Sequence, residues 1–171
     1  RRHSSMPIVC AYHLFHDRNV IQRGASALLN ARLLPVIDGF LKAVRSSMQL
    51  RNLNYPVVIM RSDGSLMNET YALNHPVETL LCGPAASVMG GAYLGHYPKS
   101  VIIDMGGTTS DIALVKDHLP VRADNGIQIG SWRTFVKGLY VDTFGLGGDS
   151  EICYQENNLF LSDRRVMPLC I

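Results

Sequence analysis

The sequence predicts an α/β fold, because a long helical pattern is followed by short β-branched runs that alternate with glycine-rich turns. Residues 25–50 carry apolar side chains three and four positions apart, the spacing of an amphipathic helix. Residues 57–60 and 101–103 are continuous apolar runs, typical of strands buried on both faces. With 171 residues and an apolar fraction of 47%, the chain can build a substantial core, in one domain or in two small lobes.

The first half of the chain is predicted to hold one long helix among short elements. Residues 6–12 have the pattern of a strand. The helix contains Pro35, which should kink it or mark a restart within it. A strand at 57–60 is closed by a turn at 62–65, and residues 68–80 are expected to form a short helix and loop interrupted by a proline.

A helix of small residues follows. It begins near Pro84, a residue that suits the first turn of a helix. Gly90 and Gly91 each cost a helix on the order of 1 kcal/mol relative to alanine. Their presence indicates either close packing on a neighbouring backbone or a point of flexing. Beyond this helix, residues 119–124 and 136–144 are predicted strands.

Residues 101–115 contain a glycine turn between two predicted strands, with an acid on each side of the turn. Asp104 ends the first strand, and Asp111 lies at the start of the second. Gly106 and Gly107 allow the backbone to approach a ligand with no Cβ in the way, and their N–H groups can converge on an anion. Hydroxyl donors follow at Thr108, Thr109 and Ser110. Because carboxylates beside a phosphate need a cation between them, the pattern predicts a nucleotide-phosphate site with Mg²⁺.

Two better-known phosphate motifs do not fit this turn. A P-loop needs a lysine after its glycines, and no lysine follows Gly107 directly. A dinucleotide fingerprint leads into a helix, whereas residues 110–115 have the pattern of a strand. The alternative is an ordinary hairpin in which the two glycines only make the bend.

A second glycine-rich turn comes about forty residues later. Its glycines are Gly145, Gly147 and Gly148, and we expect them to open a helix with Asp149 or Ser150 near its N-cap. A helix N-terminus after glycines is a natural anion site. Together with the first turn, it predicts a second contact to phosphate here, and the alternative is a simple helix C-cap or turn.

Composition limits the partners and the compartment. The net charge is +2, from 16 basic and 14 acidic residues without a long run of one sign, so no nucleic acid or anionic membrane is expected as a partner. No apolar stretch approaches the ~18 residues of a membrane span, and the N-terminus lacks a signal-peptide core. Four cysteines allow two disulfides in principle, but their wide spacing favours reduced thiols in a cytoplasmic protein. They are Cys10, Cys82, Cys153 and Cys170.

The order of a small-residue helix, an Asp-x-Gly-Gly-Thr hairpin and a second glycine turn resembles the actin-like ATPase superfamily. Within that superfamily the chain is more similar to the hydantoinase A/5-oxoprolinase family, over roughly residues 8–153. Four segments carry this resemblance: 29–33 (LNARL), 59–64 (IMRSDG), 81–86 (LCGPAA) and 103–108 (IDMGGT).

The resemblance implies parts of two ribonuclease-H-like lobes. Residues 1–82 would end the first lobe, residues 83–97 would form the helix between the lobes, and residues 98–171 would begin the second lobe. The family has another phosphate-binding hairpin and later second-lobe segments, which are absent from these residues. We therefore expect a fragment that does not turn over by itself.

The resemblance also implies a reaction, the ATP-driven opening of a five-membered cyclic amide such as a hydantoin or 5-oxoproline. Phosphoryl transfer to the amide oxygen would activate the ring for attack by water. The implied cofactors are ATP and Mg²⁺, and a second hydantoinase subunit is a candidate partner. The alternatives are an ATP-dependent phosphotransferase or carboxylase subunit acting on another acceptor, and a non-catalytic nucleotide switch that docks a partner protein.

Roles for individual residues follow from the same resemblance. Asp104 and Asp111 would act in catalysis by holding Mg²⁺, directly or through water. The β- and γ-phosphates would be cradled by Gly106, Gly107, Thr108 and Thr109. The nucleotide cleft would be lined from the other side by Gly145, Gly147 and Gly148.

The sequence departs from the family pattern in three places. The hairpin reads Thr109-Ser110-Asp111 where Ser-Thr-Asp is common, which keeps both hydroxyls. The second turn carries Asp149 where a further glycine is usual, which puts its phosphate contact in question. Residues 131–137 differ more and are consistent with a different substrate.

Overall fold

The computed structural model describes residues 8–123 and 125–167, and they form a mixed α/β fold. The helices are α1 Ala11–Leu14, α2 Val20–Leu50, α3 Glu69–Asn74 and α4 Cys82–Gly95, with a 3₁₀ turn at Pro76–Thr79. The strands are β1 Val58–Met60, β2 Leu66–Asn68, β3 Lys99–Met105, β4 Ser110–Lys116, β5 Leu119–Pro120, β6 Gln128–Ile129, β7 Trp132–Arg133, β8 Val141–Phe144, β9 Ser150–Gln155 and β10 Asn158–Arg165. The α/β class predicted from the sequence is thus confirmed.

The chain divides into two compact units. One consists of residues 8–86 with Arg122–Leu139, and the other of Ser87–Val121 with residues 140–167. The division falls within α4. The chain passes from the first unit to the second within this helix, returns to the first unit for Arg122–Leu139, and then completes the second unit.

In the first unit, α2 runs through Pro35 as one helix of 31 residues. It begins five residues before the predicted start because the side chain of Asn19 caps it, accepting hydrogen bonds from the N–H groups of Ile21 and Gln22. Asn30 is fully buried and joins this helix to the end of α3 and to the 3₁₀ turn that follows it. Its amide donates to the carbonyl of Asn74 at 3.1 Å and accepts from the N–H of Val77 at 3.1 Å.

The segment at 59–64 has a structural role in this unit. Arg61 forms an ion pair with the buried carboxylate of Glu78, and Tyr71 donates its hydroxyl to the same carboxylate at 2.9 Å. The hydroxyl of Ser62 donates to the carbonyls of Glu78, at 2.9 Å, and of Leu80. Burial raises the pKa of Tyr71, and the hydrogen bond to Glu78 raises it further.

The strand predicted at 6–12 is wrong for the part that the structure describes. Residues 8–10 have no regular structure, Ala11–Leu14 is a single helical turn, and residues 6 and 7 lie outside the described part. The backbone forms local hydrogen bonds here, since the N–H groups of His13 and Phe15 donate to the carbonyls of Cys10 and Ala11, as in a helical turn.

In the second unit, β3 and β4 form an antiparallel hairpin, and β4 also pairs with β5 and β8. Helix α4 packs on one face of this sheet, because a Cβ at Gly91 would lie 3.0 Å from the side chain of Ile102. Close packing therefore accounts for Gly91, whereas a Cβ at Gly90 would meet nothing within 4 Å. The opposite face is open, with Val101 56% and Ile103 63% exposed. The prediction that residues 101–103 are buried on both faces is wrong, because β3 alternates as a strand with one covered face.

The helix predicted after the second glycine turn is also wrong. Ser150–Gln155 is a strand that pairs antiparallel with β10. The connecting residues Glu156 and Asn157 both have positive φ, 49° and 67°, as a tight two-residue hairpin turn requires. Pairing with β10 decides the conformation of this segment, and no helix N-terminus is available to an anion.

Two further predicted strands are shorter in the structure. The strand at 119–124 is reduced to β5, and residue 124 lies outside the described part. The strand at 136–144 is reduced to β8, because residues 136–138 instead return to the first unit. There, the N–H groups of Ile127 and Ala123 donate to the carbonyls of Val136 and Gly138.

Within the described ranges, no helix has both the length and the apolar character that a membrane crossing demands. Cys10, Cys82 and Cys153 are free thiols, and Cys170 lies outside the described residues.

Candidate functional site

The hairpin between β3 and β4 places the two predicted acids side by side. Asp104 is the direct cross-strand partner of Asp111, and Thr143 of β8 is the partner of Asp111 on its other side. Direct partners share a face of the sheet, so the three side chains form one row. Thr143 donates its hydroxyl to Asp111 Oδ1 at 2.5 Å, which fixes the orientation of that carboxylate.

The second glycine turn lies against the loop of this hairpin. The N–H of Gly148 donates to the carbonyl of Gly106 at 3.0 Å, and the N–H of Asp149 donates to the carbonyl of Gly107 at 2.8 Å. We call the loop 106–109 and the turn 145–149 together the clasp. Backbone hydrogen bonds hold its two halves together. Such bonds do not depend on which side chains the residues carry.

Three contacts at the clasp depend on particular residues in it or next to it. Gly147 is buried, and a Cβ there would lie 2.5 Å from the carbonyl oxygen of Gly107, so no larger residue fits. The hydroxyl of Ser110 donates to the carbonyl of Leu146 at 2.6 Å. Ser150 accepts from the N–H of Gly147 at 2.9 Å and closes the second turn.

A third carbonyl of the loop is bound by a residue that the sequence did not indicate. Nη1 of Arg165 donates to the carbonyl of Thr108 at 3.2 Å. The same nitrogen contacts Asp149 Oδ1 at 2.8 Å and Ser150 Oγ at 3.1 Å. Arg165 ends β10 opposite Ser150, so the register of the β9–β10 hairpin brings it to the clasp. No short sequence motif includes Arg165, so its position at the clasp could be predicted only from the strand pairing of β9 and β10.

These contacts determine where the free N–H groups of the loop point. In a planar trans peptide, the C=O of one residue points opposite to the N–H of the next. The carbonyls of Gly106, Gly107 and Thr108 are all bound by the second turn or by Arg165. The N–H groups of Gly107, Thr108 and Thr109 therefore face the other side of the loop. They donate to no acceptor within residues 8–123 and 125–167, and such a set of adjacent N–H groups is suited to bind an anion.

The remaining predicted site residues differ in what they contact. All nine predicted residues belong to the second unit. Gly147 and Gly148 touch the hairpin backbone, whereas a Cβ at Gly145 would meet nothing within 4 Å. The structure thus brings the acids, the loop and two of the three later glycines together.

The acids fit Mg²⁺ better than a metal held by protein ligands alone. Across the two described ranges, no group of three or more His, Cys, Asp or Glu side chains is arranged to hold a metal ion. Mg²⁺ is usually bound through one or two carboxylates, with waters and phosphate oxygens completing its shell. The pair formed by Asp104 and Asp111, on the hairpin whose loop carries the three free N–H groups, is compatible with that requirement.

Comparison with known proteins identifies the family of this chain. Residues 23–164, more than half of the chain, match the family model described as Hydantoinase/oxoprolinase. The chain belongs to the hydantoinase/oxoprolinase family. This membership confirms the resemblance found in the sequence.

Two curated relatives of this hydantoinase/oxoprolinase chain have named activities. Caprolactamase subunit alpha from Pseudomonas jessenii is 25% identical over 146 residues, which cover 83% of this chain and 21% of the relative. 5-Oxoprolinase 1 from Arabidopsis thaliana is 29% identical over 139 residues, covering 79% of this chain and 11% of the relative. The chain thus spans about a fifth or less of the length of these relatives.

A solved structure supports the fold. Acetone carboxylase, in a nucleotide-free structure from a study of ATP-dependent acetone carboxylation, superposes with a TM-score of 0.71 at 17% identity. The match covers 91% of this chain and 22% of that chain. At this identity the likeness is one of fold.

Proposed function

We propose that the protein carrying this chain is an ATP-dependent hydrolase that opens a five-membered cyclic amide, of the hydantoin or 5-oxoproline type. The terminal phosphoryl group of ATP would be transferred to the amide oxygen with release of ADP. Water would then attack the activated carbon, the ring C–N bond would break to leave an acyl phosphate and a free amine, and a second water would release inorganic phosphate from the acyl phosphate. Family membership supports the class of reaction, and two relatives are named for caprolactamase and 5-oxoprolinase activities.

The observation that carries the proposal is the orientation of the hairpin loop. Three consecutive carbonyls are bound on one side, so the N–H groups of Gly107, Thr108 and Thr109 face the other. They form a preorganised donor set for phosphate oxygens, with the hydroxyls of the two threonines alongside. Phosphoryl transfer depends mostly on positioning and charge neutralisation, which such a donor set supplies.

Asp104 and Asp111 would hold Mg²⁺, directly or through water, and the ion would neutralise charge on the phosphates. In this proposal Thr143 keeps Asp111 oriented through its hydrogen bond. Gly147 and Gly148 contribute by holding the carbonyl side of the loop, in addition to the predicted role of lining the nucleotide cleft.

We extend the proposal to the whole protein. In an actin-like ATPase, residues 1–82 would end the first lobe, residues 83–97 would form the helix between the lobes and residues 98–171 would begin the second lobe. Arg122–Leu139 would be the part of this second-lobe segment that groups with the first unit. We also propose a cytoplasmic location, in keeping with the free thiols, and a second subunit, since one relative is named as a subunit alpha.

The competing candidate is phosphoryl transfer to another acceptor, as in a carboxylase. The clasp binds the phosphate end only, so its geometry serves any acceptor equally well. The acetone carboxylase structure shares the fold of 91% of this chain, so transfer to another acceptor is the second function to be tested. A nucleotide switch that docks a partner is the other outcome to be distinguished.

The test is ATP binding and ATP hydrolysis by the protein at its natural full length, with Mg²⁺, and with or without hydantoin and 5-oxoproline. Asp104→Asn removes one carboxylate from the site. Asp117→Asn is the matched control, because Asp117 lies at the other end of the same hairpin, is exposed, and has a positive φ of 52° that asparagine tolerates.

Stimulation by a ring substrate that is lost in Asp104→Asn and kept in Asp117→Asn is the expected result. ATP binding without stimulation by either ring would move the assignment to another acceptor or to a switch. If the wild-type protein binds no ATP, the glycine hairpin is only a turn and the proposal is refuted.

A further inference from the structure

Arg165 joins the two halves of the clasp through one nitrogen. Its Nη1 lies 3.2 Å from the carbonyl oxygen of Thr108 in the hairpin loop, 2.8 Å from Asp149 Oδ1 and 3.1 Å from Ser150 Oγ. The ion pair with Asp149 is partly shielded, with 22% of the Asp149 side chain exposed and 48% of the Arg165 side chain. Nothing else among the described residues links the loop and the second turn by a charged side chain.

Asp149 is an unfavourable residue to find next to a phosphate site. Its own N–H donates to the carbonyl of Gly107, which places the residue directly against the loop. A carboxylate at this position repels a polyphosphate unless a positive charge accompanies it. Arg165 supplies that charge at hydrogen-bonding distance.

Arg165 lies on the carbonyl side of the loop, which determines how it can act. Its contact is to the oxygen of Thr108, and the N–H of Thr109 in the same peptide points the opposite way. A group on the carbonyl side does not touch a phosphate bound by the N–H groups. It can set the orientation of that peptide and cancel the charge of Asp149.

We infer that Arg165 is a positioning residue of the phosphate site, acting through Thr108 and Asp149. The inference rests on the proposed function. Arg165 holds the Thr108–Thr109 peptide with its N–H toward the phosphate, and it neutralises the one carboxylate of the clasp that no Mg²⁺ would cover. Loss of Arg165 therefore weakens phosphate binding chiefly by leaving Asp149 unpaired.

The test measures binding of adenylyl imidodiphosphate with Mg²⁺ to the full-length protein by calorimetry. The variants are Arg165→Gln, Asp149→Asn and the two combined. Arg164→Gln is the matched control, because Arg164 is the preceding residue of the same strand, its side chain is 79% exposed, and it pairs at 3.8 Å with Glu151 outside the clasp.

Arg165→Gln is expected to weaken binding about tenfold, the equivalent of one charged hydrogen bond. Asp149→Asn in the same molecule should restore most of the affinity, because it removes the carboxylate left unpaired. The loss in Arg165→Gln should shrink as salt concentration rises, since the repulsion is electrostatic. Arg164→Gln should bind like the wild type.

A residue that only stabilises the fold would lower the melting temperature without this pattern of rescue. Equal affinities for Arg165→Gln and Arg164→Gln overturn the inference, and so does a loss that Asp149→Asn fails to relieve. Should Arg165→Gln not fold, the same comparison is made between Arg165→Met and Arg165→Met/Asp149→Asn, because methionine also lacks the charge. Absence of binding to the wild-type protein refutes the proposed function, whereas binding that ignores Arg165 refutes this inference alone.

Discussion

Replacing Gly147 by alanine is expected to separate the two halves of the clasp. The new Cβ would lie 2.5 Å from the carbonyl oxygen of Gly107 and 2.6 Å from the carbonyl carbons of Gly107 and Thr108. Contacts below about 3 Å are not tolerated against backbone atoms, which cannot move aside as a flexible side chain can. The second turn must therefore move away from the loop by roughly 1 Å to reach ordinary van der Waals contact.

That movement breaks the backbone bonds between the two halves. The hydrogen bonds from Gly148 to Gly106, at 3.0 Å, and from Asp149 to Gly107, at 2.8 Å, would lengthen to about 4 Å. Each backbone hydrogen bond contributes about 1 kcal/mol, so the local opening free energy should fall by roughly 2 kcal/mol. The amides of Gly148 and Asp149 should then exchange with solvent about thirtyfold faster.

Hydrogen–deuterium exchange on the full-length protein measures this change at the two amides directly. Gly145→Ala is the control from the same turn, because a Cβ at Gly145 meets nothing within 4 Å. Gly147→Ala should also bind Mg²⁺-ATP more weakly than Gly145→Ala. If both variants exchange and bind as the wild type does, the close approach of the two turns is not what orients the loop, and the reasoning fails.

Three further predictions concern the first unit. Asn30→Ala should lower the unfolding free energy by about 1–3 kcal/mol, because it leaves the buried N–H of the 3₁₀ turn without an acceptor; urea denaturation measures it. Glu78→Gln should lower the unfolding free energy by more, about 3 kcal/mol, because Arg61 keeps its charge and loses its partner. The control is Glu69→Gln, which removes a more exposed ion pair with Arg45 and should lower the unfolding free energy by under about 1 kcal/mol. Because the pKa of Tyr71 is raised in the folded state, it contributes stability that is present below about pH 10 and is lost as the pH rises through the folded-state pKa. Tyr71→Phe should therefore make the fall in melting temperature between pH 9 and 11 smaller than in the wild type.

The sequence predicted the elements whose signal is local. The hairpin of β3 and β4 was predicted because a β-branched run, a glycine pair and a second apolar run lie within residues 101–115. The long helix and the break at Pro76 were likewise visible in periodicity and in proline chemistry. Direct pairing of Asp104 with Asp111 follows from the same register, so the acids of the site were found with the hairpin.

The elements that the sequence missed depend on partners distant in the chain. Ser150–Gln155 was predicted as a helix because glycines and an N-cap residue precede it, yet its conformation is set by pairing with β10. Arg165 lies 57 residues from the loop that it contacts, and nothing near it in the sequence indicates a phosphate site. Strand β3 is covered on one face and open on the other because α4 packs against one face, and no pattern within the strand itself indicates this.

The correction at Ser150–Gln155 changes what the second glycine turn does. A helix N-terminus would have offered its own N–H groups to a phosphate, but the N–H groups of Gly148 and Asp149 are already used by the loop. In the proposed function, the second turn would therefore act on the phosphate through the first turn, by binding the carbonyls whose peptides carry the free N–H groups. The proposed function thus predicts that buried Gly147 influences phosphate binding only through its contact with the backbone of the loop, and the exchange and binding measurements on Gly147→Ala test this together.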